Sequence, residues 1–153
     1  MAGRVCEHAG DLTGTVVVGA DGSECGRHAL RFAAAEARMR GCPLVALRAW
    51  SLTTAPRPPD VPDGIVPPMT SFESAVADEV RTEVREELGE SPGIDVVILP
   101  VHDAADSALV EASRTATLVV VGHRGHGGVA GLLLGSVSDH LVHHGQGPVA
   151  VVR

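Results

Sequence analysis

The chain contains no lysine; all 12 of its basic residues are arginine. That absence excludes several chemistries. A P-loop of the GxxxxGK(S/T) kind, a Schiff-base lysine and the strand lysine of a protein kinase are all ruled out. A response regulator, which needs a lysine beside its acidic cluster, goes with them. A bound phosphate would have to be held by backbone N–H groups, hydroxyls, arginine or a metal. Cysteine is scarce too. Cys6, Cys25 and Cys42 are odd in number and form no CxxC pair, so neither a disulfide framework nor a zinc ribbon is implied. A reducing, cytoplasmic setting is the expectation, with Cys25 and Cys42 as small core fillers. No run approaches the ~20 apolar residues of a membrane span, so no membrane partner is expected. Met1 to Leu12 lacks the apolar centre of a signal peptide. Residues 1–13 read as a disordered lead-in to one domain over 14–153. A net charge of −7 argues against a nucleic-acid partner, for which a basic stripe is the footprint.

What is there suits a single α/β domain. The 153 residues, 44% of them hydrophobic, are enough for a core without staples. Thr15–Ala20 is a short β-branched run ending in Asp21-Gly22-Ser23, which predicts a buried strand and a turn. Glu24–Arg40 carries Leu30, Ala33, Ala34 and Ala37 at helical spacing, with Ser23 as N-cap and Gly41 as stop. Leu44–Trp50 predicts a second strand. Six prolines fall within Ser51–Thr70, which predicts a long surface loop over 51–70. Ser71–Leu88 predicts a helix with Phe72, Ala75, Val76, Val80, Val84 and Leu88 on one face, ended by Gly89 or Gly93. A third strand follows over Ile94–Val101, and Asp103 then caps a helix reaching about Ala116. Leu118–Val121 is a fourth strand, Ser136–His144 a short helix and Val149–Arg153 a last strand. The strands are continuous apolar runs, as in a sheet covered by helices on both faces. Right-handed crossovers make this an open, doubly wound sheet.

In such sheets ligands bind beyond the carboxyl ends of the strands, where strand order reverses. Two loops there carry suitable residues. One is Gly19–Ser23. The other begins at Gly122, passes Gly125 and ends at Gly135-Ser136. Its glycines allow close approach of the backbone to a ligand, and successive N–H groups can form an anion-binding concavity. Gly135-Ser136-Val137-Ser138 opens a helix, whose first N–H groups lack internal partners. One helix end contributes only about 0.3–2 kcal/mol, so affinity needs the whole loop. Ser136 and Ser138 add hydroxyl donors, Arg124 could supply full positive charge, and His123 and His126 flank the loop. Asp21 could meet a ribose or close a turn before the helix; standing alone, the turn is favoured. Trp50 could wall a base pocket or close the core. His140, His143 and His144 fall at i, i+3 and i+4, yet paired acidic ligands are missing, so a solvated helix end is expected rather than a metal site.

Taken together these residues resemble the universal stress protein family. Its ATP-binding members carry G-x2-G-x9-G-(S/T), matched by Gly122, Gly125, Gly135 and Ser136. The opening VVVGADGSECGRHAL and the ending GSVSDHLVHHGQGPVAVVR look like the family's first and last segments, so the resemblance runs from about Thr15 to Arg153. It implies five parallel strands in the order 3-2-1-4-5. It also implies ATP, with Mg2+, as the ligand. Asp21 would contact the ribose, Ala20 would lie near the base, and Ala49 would line the adenine pocket through its backbone. Gly122, Gly125, Gly135, Ser136, Val137 and Ser138 would surround the phosphates. Members commonly pair their last strands into a homodimer, and Val149–Arg153 is an apolar edge strand of the kind that seeks a partner. The chain departs from the family at Asp103 and Ala105, where many members have glycine and proline, and at Thr117, where many have aspartate. The expected function is an ATP-binding stress or regulatory module. A slow ATPase and a nucleotide-free interaction module are the alternatives, and no dedicated catalytic residue is identified.

Overall fold

The computed structural model describes residues 4–5 as backbone, and residues 10–126 and 133–153 in full. Among the described residues there are six strands and four helices: β1 (Arg4–Val5), β2 (Val16–Gly19), α1 (Glu24–Arg40), β3 (Leu44–Trp50), α2 (Met69–Leu88), β4 (Val96–His102), α3 (Ala105–Ala112), β5 (Leu118–Gly122), α4 (Ser136–His144) and β6 (Val149–Val152). All pairings are parallel, in the order β1-β4-β3-β2-β5-β6. The five long-expected strands thus take the order 3-2-1-4-5. The additional strand is a correction to the lead-in: Arg4 and Val5 pair with Val97 and Ile98 at the sheet edge. Leu12 departs from a disordered lead-in as well. It is 8% exposed and joins the core on the α3 side, because an apolar side chain there covers the end of the sheet.

Each strand divides its side chains between two cores, as the period of two requires. Val16, Val18, Ala46, Ile98 and Val120 meet α1 and α2 on one face. Val17, Val45, Leu47, Leu99 and Val119 meet α3 and α4 on the other. The α1 ends follow the sequence closely. Ser23 is the N-cap, its Oγ accepting from Gly26 N at 3.0 Å. Gly41 closes the helix at φ 63°, a left-handed conformation that favours glycine.

Three boundaries differ from expectation. α2 starts at Met69, inside the expected loop, because the Pro68 carbonyl accepts from Ser71 N and so opens the helix. β4 continues through Pro100 to His102. The Asp95 carbonyl accepts from Leu44 N, so by alternation it is Val97, Leu99 and Val101 that bond to β3, and the missing N–H of Pro100 falls on the side away from it. α3 is capped at Ala104 without a side-chain bond, and Asp103 Oδ1 instead accepts from Ala104 N at 2.7 Å. The helix stops at Ala112 rather than near Ala116. Ser113 Oγ there donates to the Val110 carbonyl and accepts from Gln146 N, a side chain competing with the helix for backbone partners.

Candidate functional site

β2 lies between β3 and β5, so the chain leaves it in one direction to β3 and reaches β5 from the other. The crevice beyond its carboxyl end is the switch point of the sheet. A cleft of about 450 Å3 opens there, within the range of small-molecule sites. Gly19, Leu47, Ala49, Leu109 and Val121 give it apolar walls, and the polar groups come from the β2–α1 and β5–α4 loops.

Of the eleven residues singled out from the sequence, ten line this cleft: Ala20, Asp21, Ala49, Gly122, Arg124, Gly125, Gly135, Ser136, Val137 and Ser138. His123 does not. Its Nδ1 is buried without a hydrogen-bond partner among the described residues, while its backbone braces the loop. The His123 N–H donates to the Val152 carbonyl at 2.7 Å, and the His123 carbonyl accepts from Gly135 N at 2.7 Å. His126 lines the cleft instead, with Nε2 2.7 Å from the Asp21 carbonyl, joining the two loops. Part of the expected glycine loop, residues 127–132, lies outside the described residues.

The roles within the cleft separate on inspection. Gly122 is needed for packing: a Cβ there would sit 2.7 Å from the Cys25 carbonyl carbon, so only glycine lets α1 approach β5 this closely. Ser138 was expected to offer its hydroxyl to a ligand. It is 3% exposed, and its Oγ lies 3.0 Å from both the His123 and Gly135 carbonyls, which ties the two ends of the loop. What remains for a ligand is backbone. The first intrahelical bond of α4 runs from Asp139 N to the Gly135 carbonyl, which leaves the N–H groups of Ser136, Val137 and Ser138 without helical partners. Ser136 itself is exposed.

Asp21 closes the turn with one carboxylate oxygen only. Its Oδ1 accepts from Ser23 N at 3.0 Å and from Ser23 Oγ at 2.6 Å, which fixes the turn into α1. Its Oδ2 accepts no hydrogen bond among the described residues and lies toward Gly125, where a Cβ would meet it at 2.7 Å. Trp50 resolves to the core. It is 3% exposed, packs against Phe72 and His102, and does not line the cleft. Cys25 and Cys42 are free and half-buried, and Cys6 lies outside the described residues. On α4 the His140 and His144 rings are 4.3 Å apart, and His143 Nδ1 is 2.8 Å from the Asp139 carbonyl.

Arg48 is the charged lining residue that sequence reasoning missed. Arg48 reaches from β3 to the Ala20 carbonyl at 3.2 Å and stiffens the β2–α1 loop. Its signal was legible: it is a lone charge in the otherwise apolar run LVALRAW.

Comparison with known proteins decides the family. Residues 13–153 match the model of the Universal stress protein family. The chain belongs to that family. Universal stress proteins of Mycobacterium tuberculosis share 39% identity over 142 residues and 38% over 139 residues, in each case across 90% of this chain. Those alignments cover 45% and 44% of the two relatives, so the chain spans about half the length of the curated relatives it matches. A universal stress protein solved in complex with cAMP is 28% identical, with a TM-score of 0.62 over 91% of this chain and 95% of that one. UspA from Lactobacillus plantarum shares the fold at 17% identity, with a TM-score of 0.62 over 95% of this chain and 100% of that one. The universal stress fold is thus common to chains of widely different sequence.

Proposed function

We propose that this chain binds an adenine nucleotide, ATP in the first instance, as a regulatory or stress-response module and not as a dedicated enzyme. The observation that carries the proposal is the convergence of Asp21, Gly125, Gly135 and the free N–H groups of α4 on one cleft at the switch point. The apolar end by Leu47 and Ala49 suits a base. Asp21 Oδ2 is the acceptor for ribose hydroxyls. Gly125, Gly135, Ser136 and Val137 present backbone to the phosphates, with Arg124 alongside. A family relative in complex with cAMP supports the nucleotide class.

No group of three or more His, Cys, Asp or Glu able to hold a metal occurs among the described residues. The fit is therefore to Mg2+ carried in on the phosphates with few protein ligands, its usual mode with nucleotides. Bound there, the ion would offset phosphate charge. Binding rather than turnover is favoured because the two side chains in the cleft suited to act as a base have other tasks: Asp21 holds Ser23 through Oδ1 and faces the ribose position with Oδ2, and His126 holds the Asp21 carbonyl. The same reading makes the protein a homodimer through its last strand.

Saturation at about 100 times Kd stabilises the fold by about 2.7 kcal/mol. Mg-ATP should then raise Tm by about 5–10 °C at this chain length, and adenine nucleotide should appear in native mass spectra of the purified protein. Ser136→Asp is the sharpest variant. A carboxylate in the first turn of α4 favours the helix dipole by about 0.3–1 kcal/mol, so the fold is kept while phosphate is repelled. Gly135→Asp repels phosphate too, but its Cβ would lie 3.3 Å from Arg124 Cα, which adds a packing cost. Unchanged Mg-ATP binding in Ser136→Asp, or no response of the parent chain to any adenine nucleotide, would sink the proposal.

A further inference from the structure

A second cavity, about 600 Å3, lies across the sheet rim from the nucleotide cleft, between α1, α2 and the proline-rich loop. Asp21, Arg48 and His126 form the ridge between the two. Pro56, Pro59, Ala75 and Val80 give the second cavity apolar walls. Asp78, Glu79 and Glu86 stand at its α2 side, and Glu83 lines its depth.

Glu83 is the unexplained group. It is 6% exposed, and its Oε1 is buried with no hydrogen-bond partner among the described residues. Buried carboxylates are normally paired, because an unmet acceptor retains its full desolvation cost. The arginines nearby are directed elsewhere. Arg27 is held by Glu86 and Glu87 at 3.1 Å each, Arg48 donates to the Ala20 carbonyl, and Arg57 donates to the Pro62 carbonyl at 2.9 Å. Five carboxylates, including Asp21, line the cavity against three arginines. The lining therefore carries an excess of negative charge, with an acceptor at its depth and apolar surface beside it.

We propose that this cavity is a second ligand site, taking a small organic cation whose ammonium or guanidinium N–H groups bond to Glu83 while its methylene stem lies on Pro56, Pro59 and Val80. Burial raises the Glu83 carboxyl above its usual range and the charge of Asp21 adds to this, with Arg27 and Arg48 offsetting it only in part, so a cationic partner at the carboxylate would be favoured.

The test uses the full chain, with agmatine and putrescine as cationic probes and 1,4-butanediol as a neutral one. Calorimetric titration of the parent chain should show saturable binding of a cationic probe, weakened by salt, and none of the diol. Glu83→Gln keeps the shape and removes the charge. It should weaken the cation at least about tenfold, the loss expected for a hydrogen bond to a charged group. It should also leave Mg-ATP binding intact and cause no loss of thermal stability, which separates a lost site from a lost fold. Failure of both cations to bind, equal binding of the diol, or equal affinity in Glu83→Gln would overturn the proposal. Because the variants and probes differ, this outcome is independent of the nucleotide result.

Discussion

Glu83 and Glu87 sit one turn apart on α2 and respond to pH in opposite directions. Burial, reinforced by Asp21, raises the Glu83 carboxyl, so the folded chain binds its proton more tightly than the unfolded one. Stability must then fall as pH rises through the carboxylate range to that raised value. Burial opposes ionisation of Glu87 as well, but hydrogen bonds from Arg27 and Arg31 outweigh it and hold that carboxyl below its usual range. Its contribution is present at neutral pH and is lost as pH falls through the lowered value. Chemical denaturation of Glu83→Gln against the parent should show the variant more stable at pH 7 and the two equal below roughly pH 4, where both states of the parent are protonated. Glu87→Gln should be less stable at pH 7, with its deficit shrinking in acid. A destabilised Glu83→Gln at pH 7 would show that the carboxylate is paired after all.

At the scale of elements, the sequence was informative wherever local chemistry acted alone. The capping serine and closing glycine gave α1 its ends to the residue, and the apolar run Leu44–Trp50 gave β3 in full. It was least informative where a distant partner decided. α3 ends early because Ser113 bonds to Gln146, 33 residues away. The candidate site shows the same division. The glycine spacing located the cleft, but spacing could not say that Gly122 serves the meeting of α1 and β5 or that the Ser138 hydroxyl braces the loop. This makes a distinction testable. In Gly122→Ala the new Cβ meets Cys25 backbone, which has no rotamer to give way. Overpacking of that kind costs about 1–3 kcal/mol, or a Tm loss of roughly 2–4 °C per kcal/mol. Thermal unfolding of Gly122→Ala without nucleotide should show this loss, whereas Ser136→Asp should not.

At the scale of the whole molecule, the edge strand β6 is left half-covered. β6 pairs with β5 on one side, and Val149, Ala150, Val151 and Val152 are all partly exposed. The Pro148 and Val152 carbonyls accept from Val119 and His123 of the β5 segment. By strand alternation the backbone of Val149 and Val151 faces away from β5, toward the open edge. Such an edge invites a second strand. Val151→Pro removes an outward N–H without touching the β5 ladder, a substitution edge strands accept. Sedimentation equilibrium should show a dimer for the parent and a folded monomer for the variant; identical masses would remove β6 from the interface. A last consequence follows from the ridge of Asp21, Arg48 and His126. It is a wall common to two cavities, so an occupant of one that shifts those side chains alters the shape and charge of the other. Thermodynamic linkage makes any such effect mutual: the factor by which a nucleotide changes the affinity for a cation is the factor by which the cation changes the affinity for the nucleotide. The fold would thus compare two chemical inputs at one wall three residues wide.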